Sequence, residues 1–452
     1  MAILSKEDAK KILEKVLKFS KADGCEARLA GTHTGNIRYA RNSVSTTGTS
    51  KSTVLIVQSY FGKKVGTATI NEFDDASLEK VIRRAEELAQ LAPENPEFME
   101  PLGLQTYSDS RTYVDATAKT TPEQRAKAAD ESIQPAIAKG VVAAGYLEDN
   151  YDFVALMNTK GLFAYNQSTD VNFTVTMRTN DGTGSSWVTR DYNDITKLNT
   201  GEASKIAVDK AILSQNAKAI EPGKYTVILE PAASIELIRN MIYGLDARQA
   251  DEGRSYLSKK GGGIKLGEKI LDERVNIYSD PLNIEAPYSP FSEEGLPQKK
   301  MDLFRNGVVK NVLYDRYWAK QKNVEPVPMP GNVIMDGGTV SLEDMIKDTK
   351  KGIWVTRFWY TNIVDPQTLV CTGLTRDATF YIENGKIKHP IKNFRFNESP
   401  LIMLNNIEQL GKQVRIGSRG FSMGGFSVPS VNFMLPYMKI RDFTFTSLSD
   451  AV

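Results

Sequence analysis

Residues 225–263 read YTVILEPAASIELIRNMIYGLDARQADEGRSYLSKKGGG, and this stretch decides the fold. Tyr225 to Leu229 is a β-branched and apolar run that predicts a strand. Pro231 follows where a helix accepts it, in the first turn, because its missing N–H has no partner to lose there. Ile235, Ile238, Met241, Ile242 and Leu245 then recur at helical spacing, with Leu237 beside them. A strand enters the core and an amphipathic helix leaves it. Beyond the helix come Asp246, Arg248, Asp251, Glu252 and Arg254. Alternating signs packed this closely predict a paired network or the wall of a pocket. The plainer alternative is a buried helix with a solvated charged end.

The rest of the chain places this unit at the entry of a second lobe. Ser5 with Asp8 predicts a helix start, and Ala9, Ile12, Leu13, Val16, Leu17 and Phe19 its apolar stripe, with Gly24 as the stop. Cys25–Leu29, Ile37–Val44, Thr53–Phe61 and Val65–Ile70 read as strands, the last two joined at Gly62-Lys63-Lys64. Asp74 and Asp75 cap a second helix that ends before Pro93 and Pro96. Residues 93–120 read as a linker or a segment laid over the surface. Thr121-Pro122-Glu123-Gln124 starts another helix, running to about Ala138. Val141–Glu148, Asp152–Asn158, Leu162–Ser168 and Val171–Thr179 then predict an antiparallel meander. Residues 181–186 read as a loop, and a helix follows from about Glu202 to Ser214.

Pro222-Gly223 is the best boundary. After it, Asn306-Gly307 and Asn384-Gly385 each sit between alternating residues and predict tight hairpins. Ser341 starts a short helix, Gly352–Tyr360 reads as a strand, and the glycines between Val414 and Phe445 suggest bulges or close backbone approach. The expected fold is α+β in two lobes. Residues 1–220 form an N-terminal lobe of antiparallel sheet with helices, with a possible sub-boundary near 93–120. Residues 221–452 form a C-terminal lobe that is mostly β.

Composition narrows the function. The 452 residues are 41% hydrophobic and 25% charged, with 57 Lys+Arg against 55 Asp+Glu, a net charge of +2. No global field draws the chain to nucleic acid or to an anionic membrane. No apolar run approaches the roughly 18 residues of a membrane span, and MAILSKEDAKK lacks the apolar centre of a signal peptide. Cys25 and Cys371 allow one bridge at most and form no CxxC, so reduced buried thiols in a cytoplasmic protein are expected.

Local motifs carry little chemistry. Gly420-Phe421-Ser422-Met423-Gly424 matches G-x-S-x-G, yet FSVPSVNF does not read as the helix that should follow, and no His follows Ser422. Cys371 and His389 could pair as thiolate and imidazole, though LVCTG reads as core. Lys259-Lys260-Gly261-Gly262-Gly263 reads as a mobile basic loop rather than a phosphate cradle. Trp354, Phe358, Trp359 and Tyr360 read equally well as core or as an interface.

Longer stretches resemble a known family. GKKVGTATINEFDDASLEKVIRRAEELAQLAPENPEF (62–98), EPAASIELI (230–238), YGLDARQADEGRS (243–255), TGLTRDATFYIENGKI (372–387) and IKNFRF (391–396) resemble the TldD/PmbA proteins, once called modulators of DNA gyrase and associated with metal-dependent peptidase activity. The resemblance implies a peptidase branch carrying H-E-x-x-x-H on the helix after the strand at 225–229. There two imidazoles and a further thiolate or similar group would hold zinc, which acidifies a bound water. Here Ile238 stands near the first imidazole position and Tyr243 near the second. The chain has only His33 and His389, and neither has a His at helical spacing.

The chain therefore resembles the PmbA (TldE-type) side of the family, and no catalytic or metal-binding residue is expected in it. The expected role is a metal-free subunit in proteolysis. Zinc is expected in a catalytic partner subunit, and the expected partners are a TldD-like metal-bearing subunit or a homo-oligomer, and unfolded peptide. Tyr243, Asp246, Arg248, Asp251, Glu252 and Arg254 are the candidate peptide-groove or interface residues. No nucleic acid and no membrane are expected as partners. Two alternatives remain open: a self-sufficient peptidase using carboxylates and Cys371, and a regulatory protein binding gyrase without hydrolysis.

Overall fold

The computed structural model describes residues 3–418, 421–423, 426–428 and 431–449. Its first sheet is antiparallel, with strand order β3-β2-β1-β4-β5-β6. These strands are β1 (Gly24–Ala40), β2 (Ser43–Phe61), β3 (Lys64–Ile70), β4 (Val141–Asn158), β5 (Phe163–Thr179) and β6 (Ser185–Tyr192). Odd-numbered side chains of β1 and β4 face the helices. α1 (Lys6–Phe19) and α2 (Asp75–Leu91) cover one end of that face, through Leu13, Val16, Leu78 and Ile82 against Ala27, Leu29 and Phe153. After the single turn α3 (Asp115–Ala118), α4 (Pro122–Ala138) and α5 (Thr200–Leu213) cover the other end, through Ile133, Ala136 and Ala207 against Tyr39, Leu147 and Phe173. The predicted caps are present: Ser5 Oγ accepts from Asp8 N–H, Asp74 from Ser77 N–H, and Thr121 and Gln124 close a capping box.

Several sequence-based boundaries shift, each for a tertiary reason. α1 ends at Phe19, and Gly24 begins β1 rather than stopping the helix. The separate strands expected over 25–61 merge into two long ones. A hairpin at Arg41 and Asn42, both with positive φ, splits the stretch expected as one strand over 37–44. The four-strand meander is likewise two strands, β4 and β5, paired from Val141↔Thr179 to Met157↔Phe163. Polar residues in mid-strand looked like interruptions, but neighbouring strands pair with their backbone, on both sides in β1 and β4 and on one side over 45–52 of β2 and 166–170 of β5.

The second lobe begins with β7 (Gly223–Leu229), α6 (Pro231–Tyr243) and α7 (Ala247–Asp251). The strands β8 (Ile277–Ser279), β9 (Met301–Arg305) and β10 (Val308–Val309) follow, then α8 (Arg316–Lys322), β11 (Asn332–Met335) and α9 (Leu342–Lys347). Next come β12 (Lys351–Val355), β13 (Phe358–Asp365), β14 (Val370–Thr375), β15 (Thr379–Glu383), β16 (Lys386–Pro390) and β17 (Phe394–Glu398). The chain closes with α10 (Pro400–Asn405), β18 (Ile407–Ser418), the small pair β19 (Phe421–Met423) and β20 (Phe426–Val428), and β21 (Val431–Leu448).

Among the described residues the second sheet has thirteen strands, with β10-β9-β8-β11-β21-β7-β12-β15-β16 as its main path. β13, β14, β17 and β18 branch off through β21. The pairs β7–β12 and β11–β21 are parallel, the others antiparallel. Both Asn-Gly hairpins form as expected, with Asn306 and Asn384 at φ 50° and 51°. The run 352–360 is two strands, because Thr356 and Arg357 separate β12 from β13. The aromatic cluster divides with it. Trp354 stacks on Phe380 and Phe358 on Phe443, both buried, whereas Trp359 and Tyr360 are exposed. No described helix is long and apolar enough to cross a membrane.

Candidate functional site

α6 starts at a contact with the first lobe and leads into α7, which makes another. Its N-cap, Glu230, forms no side-chain cap. Its carboxylate turns outward to Lys210 of α5, at 2.6 Å, and accepts from Trp354 Nε1 at 3.0 Å. Ile235, Leu237, Ile238, Met241 and Ile242 are buried in the main core of the second lobe. The remaining stripe is polar and half-buried: Glu236, Arg239, Asn240 and Tyr243, spaced along one helix face. Glu236 pairs with Arg239 at 3.0 Å.

This helix does not fit a zinc ion. Ile238 is apolar and fully buried, and the half-buried Tyr243 offers a phenol, a poor zinc ligand beside an imidazole. Asn240 Nδ2 lies 3.7 Å from Cys371 Sγ. Burial pushes that thiol up to about 11, so it stands protonated among the core side chains of the folded chain. Among the described residues no three His, Cys, Asp or Glu side chains converge as a metal requires.

Of the six candidate residues, five gather around α7, with Tyr243 just before it at the end of α6. Asp246 caps α7 by accepting from Gln249 N–H at 2.7 Å. Arg248 holds Glu97 with two nitrogens, at 2.8 and 3.0 Å, and Glu252 with a third, at 3.1 Å. The Arg248 hydrogen bonds hold the Glu97 carboxyl below its usual range. Asp251 accepts from Trp318 Nε1 at 2.8 Å and pairs with Lys322 at 2.9 Å. Arg254 Nε meets Glu252 at 3.1 Å. Bidentate guanidinium–carboxylate geometry of this kind fixes orientation. The segment thereby ties α7 to α8 and to the 93–98 stretch of the first lobe.

A second feature was not singled out from sequence. The even-numbered face of β4 and β5 turns away from the helices and toward the second lobe. It lines a cleft of about 490 Å³ with Glu148, Asn150, Asp152, Asn166, Asp170 and Asn172, joined by Asp191 of β6 opposite Asn172, and closed on the far side by Tyr288, Ser289 and Asn432. Burial first, then the neighbouring Asp191 and Asp152, push Asp170 up to about 7. Asn150 donates to it at 3.1 Å. Asp191 is held by Arg415 of β18 at 2.9 Å. The sequence carried a signal: polar residues at 148, 150, 152 and at 166, 168, 170, 172 alternate at strand period. Such a face reads as solvent-facing until a second lobe covers it.

The other motifs stay apart. His389 stacks on Tyr381 and its Nδ1 lies 3.0 Å from the Pro390 carbonyl, on a strand not paired with that of Cys371. Lys259 of the basic loop pairs with Glu268 at 2.8 Å. The G-x-S-x-G match includes Gly420 and Gly424, which lie outside the described residues.

Comparison with known proteins agrees with this architecture over almost the whole chain. Three family models match: PmbA/TldA metallopeptidase domain 1 over residues 25–89, its central domain over 71–215 and its C-terminal domain over 222–447. An uncharacterized protein of Methanocaldococcus jannaschii is 26% identical over 425 residues, covering 89% of this chain and 97% of its own. A metalloprotease of Methanothermobacter thermautotrophicus is 24% identical over 308 residues, covering 64% of this chain and 66% of its own. The crystal structure of TldE from Thermococcus kodakarensis superposes with a TM-score of 0.83 at 17% identity, covering 97% of this chain and 99% of that one, and so shares its fold. With successive domains matched in order around a helix that lacks imidazoles, the chain belongs to the TldD/PmbA metallopeptidase family.

Proposed function

We propose that this chain is a metal-free, TldE/PmbA-like subunit of a peptidase assembly. It pairs with a metal-bearing relative, which carries the zinc, and helps to enclose a space for unfolded peptide. The observation that carries the reading is α6. Where the family's peptidase branch has its two imidazoles, this helix has a buried isoleucine and a tyrosine, Ile238 and Tyr243. The fold shared with TldE, at 97% coverage, supports the same assignment. The polar cleft between the lobes supports the peptide part, since carboxylates, amides and hydroxyls on a rigid sheet suit an extended backbone and its cationic groups. In this reading Tyr243, Asp246, Arg248, Asp251, Glu252 and Arg254 act as wall or interface, and none acts on the scissile bond.

The test uses the purified full chain. Elemental analysis is expected to find no stoichiometric zinc, and unfolded casein is expected to stay intact. Adding a family member that carries H-E-x-x-x-H is expected to restore cleavage and to co-elute with the chain. Stoichiometric zinc together with proteolysis by the chain alone would overturn the reading.

A further inference from the structure

β13 is an edge strand with an unusual surface. Among the described residues it pairs with β14 alone. Trp359, Tyr360, Ile363 and Val364 are all exposed, Tyr360 by 70%. A free edge bearing apolar side chains on both faces, with no Lys and no Pro, is the kind that natural proteins cover or blunt. Tyr360 adopts φ 55°, and the register with β14 slips between Trp359 and Asn362, so a bulge pushes the tyrosine outward.

At the start of this strand sits an arginine with unused donors. β14 ends at Thr375, opposite Phe358, and Arg376 follows directly. The Arg376 guanidinium lies 4.1 Å from the ring centroid of Trp359. Its sole charge partner among the described residues is Asp377, at 3.7 Å, beyond hydrogen-bond reach. The Asp377 carboxylate is already taken by Arg357 at 2.9 Å and by Ser185 at 2.7 Å. Among the described residues, Arg376 makes no side-chain hydrogen bond. Asp377 and Ala378 after it both hold left-handed backbone, at φ 52° and 75°. Strain of that kind in adjacent residues that are not glycine persists where surrounding contacts hold a loop in one shape.

We infer that β13 and Arg376 form a recognition site for an extended peptide that ends in a free carboxylate. The strand runs from Phe358 to Asp365, so a peptide added antiparallel places its C-terminus beside Phe358 and Trp359. That is where Arg376 stands. Its planar fork suits a carboxylate, and stacking on Trp359 has already ordered it. Parallel addition would bring the peptide's ammonium group to the same guanidinium, so charge selects the antiparallel direction. The exposed Tyr360, Ile363 and Val364 favour β-branched and aromatic residues in the added strand. The inference deepens the peptide-holding part of the proposed function and rests on it, but it is tested without the partner subunit.

The experiment measures fluorescence anisotropy of a fluorescein-labelled hexapeptide, Thr-Val-Thr-Val-Ile-Thr, as free acid and as C-terminal amide, on the isolated full chain. The free acid is expected to bind roughly tenfold more tightly than the amide. Arg376→Gln is expected to bring the acid to the level of the amide and to leave the amide unchanged. Val364→Asp is expected to weaken both. Equal binding of acid and amide to the unaltered chain, or no saturable binding, overturns the inference and needs no variant to fold. Retention of the acid preference in Arg376→Gln overturns it as well. None of these outcomes bears on whether a metal-bearing relative restores cleavage.

Discussion

Lys210 Nζ lies 2.6 and 2.8 Å from the two carboxylate oxygens of Glu230, and both side chains are about 90% buried. Lys210 belongs to α5 of the first lobe, and Glu230 is the N-cap of α6 in the second. Trp354 covers the pair, donating to Glu230 at 3.0 Å with the ammonium 5.4 Å from its ring centroid. The lobes are thus locked at the N-terminus of α6. Breaking one side leaves a buried charge without compensation, which costs about 3–5 kcal/mol. Lys210→Met is expected to lose stability in that range in urea unfolding. Lys210→Met with Glu230→Gln is expected to recover most of it, because neither charge then remains.

A pH dependence follows from Asp170. Its folded pKa is raised from 3.8 to about 7, so between those values the folded state binds a proton that the unfolded state does not. Its contribution is therefore fully present below pH 3.8 and is lost as the pH rises to about 7. Asp170→Asn is expected to remove this dependence. The variant is expected to be more stable than the parent at pH 8, on the order of 2 kcal/mol once partial exposure to the cleft is allowed for. The two are expected to converge at pH 4. Unfolding midpoints at the two pH values decide the matter.

Gly35 supports a second buried pair. A Cβ there would lie 2.2 Å from Arg125 Nη1, which holds Asp149 at 3.1 Å. Any side chain displaces the guanidinium, and Asp149, pushed up to about 6 mainly by burial, loses its partner. Gly35→Ala is expected to cost about 3 kcal/mol. Gly48→Ala serves as the control: its Cβ would meet Asn36 at 3.6 Å, an ordinary contact. Its thermal midpoint is expected to stay close to that of the parent.

The two thiols are expected to be inert. Cys25 is pushed up to about 12 and Cys371 to about 11, each chiefly by burial. Iodoacetamide at pH 8 is expected to leave both unmodified in the folded chain, counted by intact mass, and to modify both in guanidinium chloride. Rapid alkylation of Cys371 in the folded state would revive the thiolate–imidazole alternative.

Most elements were legible because their signals are local. Asn-Gly between alternating residues admits positive φ with little cost, and both hairpins formed at the expected residues. The caps at Ser5, Asp74 and Thr121 depend on residues three apart. Strand lengths were not legible. The stretch 45–52, STTGTSKS, carries no apolar alternation, yet it stays in β2 because β1 supplies its hydrogen bonds. Gly24 looked like a helix stop, yet it begins a strand paired to Tyr60.

By itself the sequence determined the strand-then-helix unit at 225–243, the α+β class and the lack of imidazoles on α6. Each of these rests on residue type and short-range period. Only the tertiary structure decided which charges meet. Arg415 finds Asp191 across 224 positions, Arg248 finds Glu97 across 151, and the polar face of β4 and β5 becomes a cleft when the second lobe covers it. That β13 pairs with β14 alone among the described residues is likewise a property of topology. Periodicity tells which side chains share a face, but what that face meets depends on chain returns that no local interaction encodes.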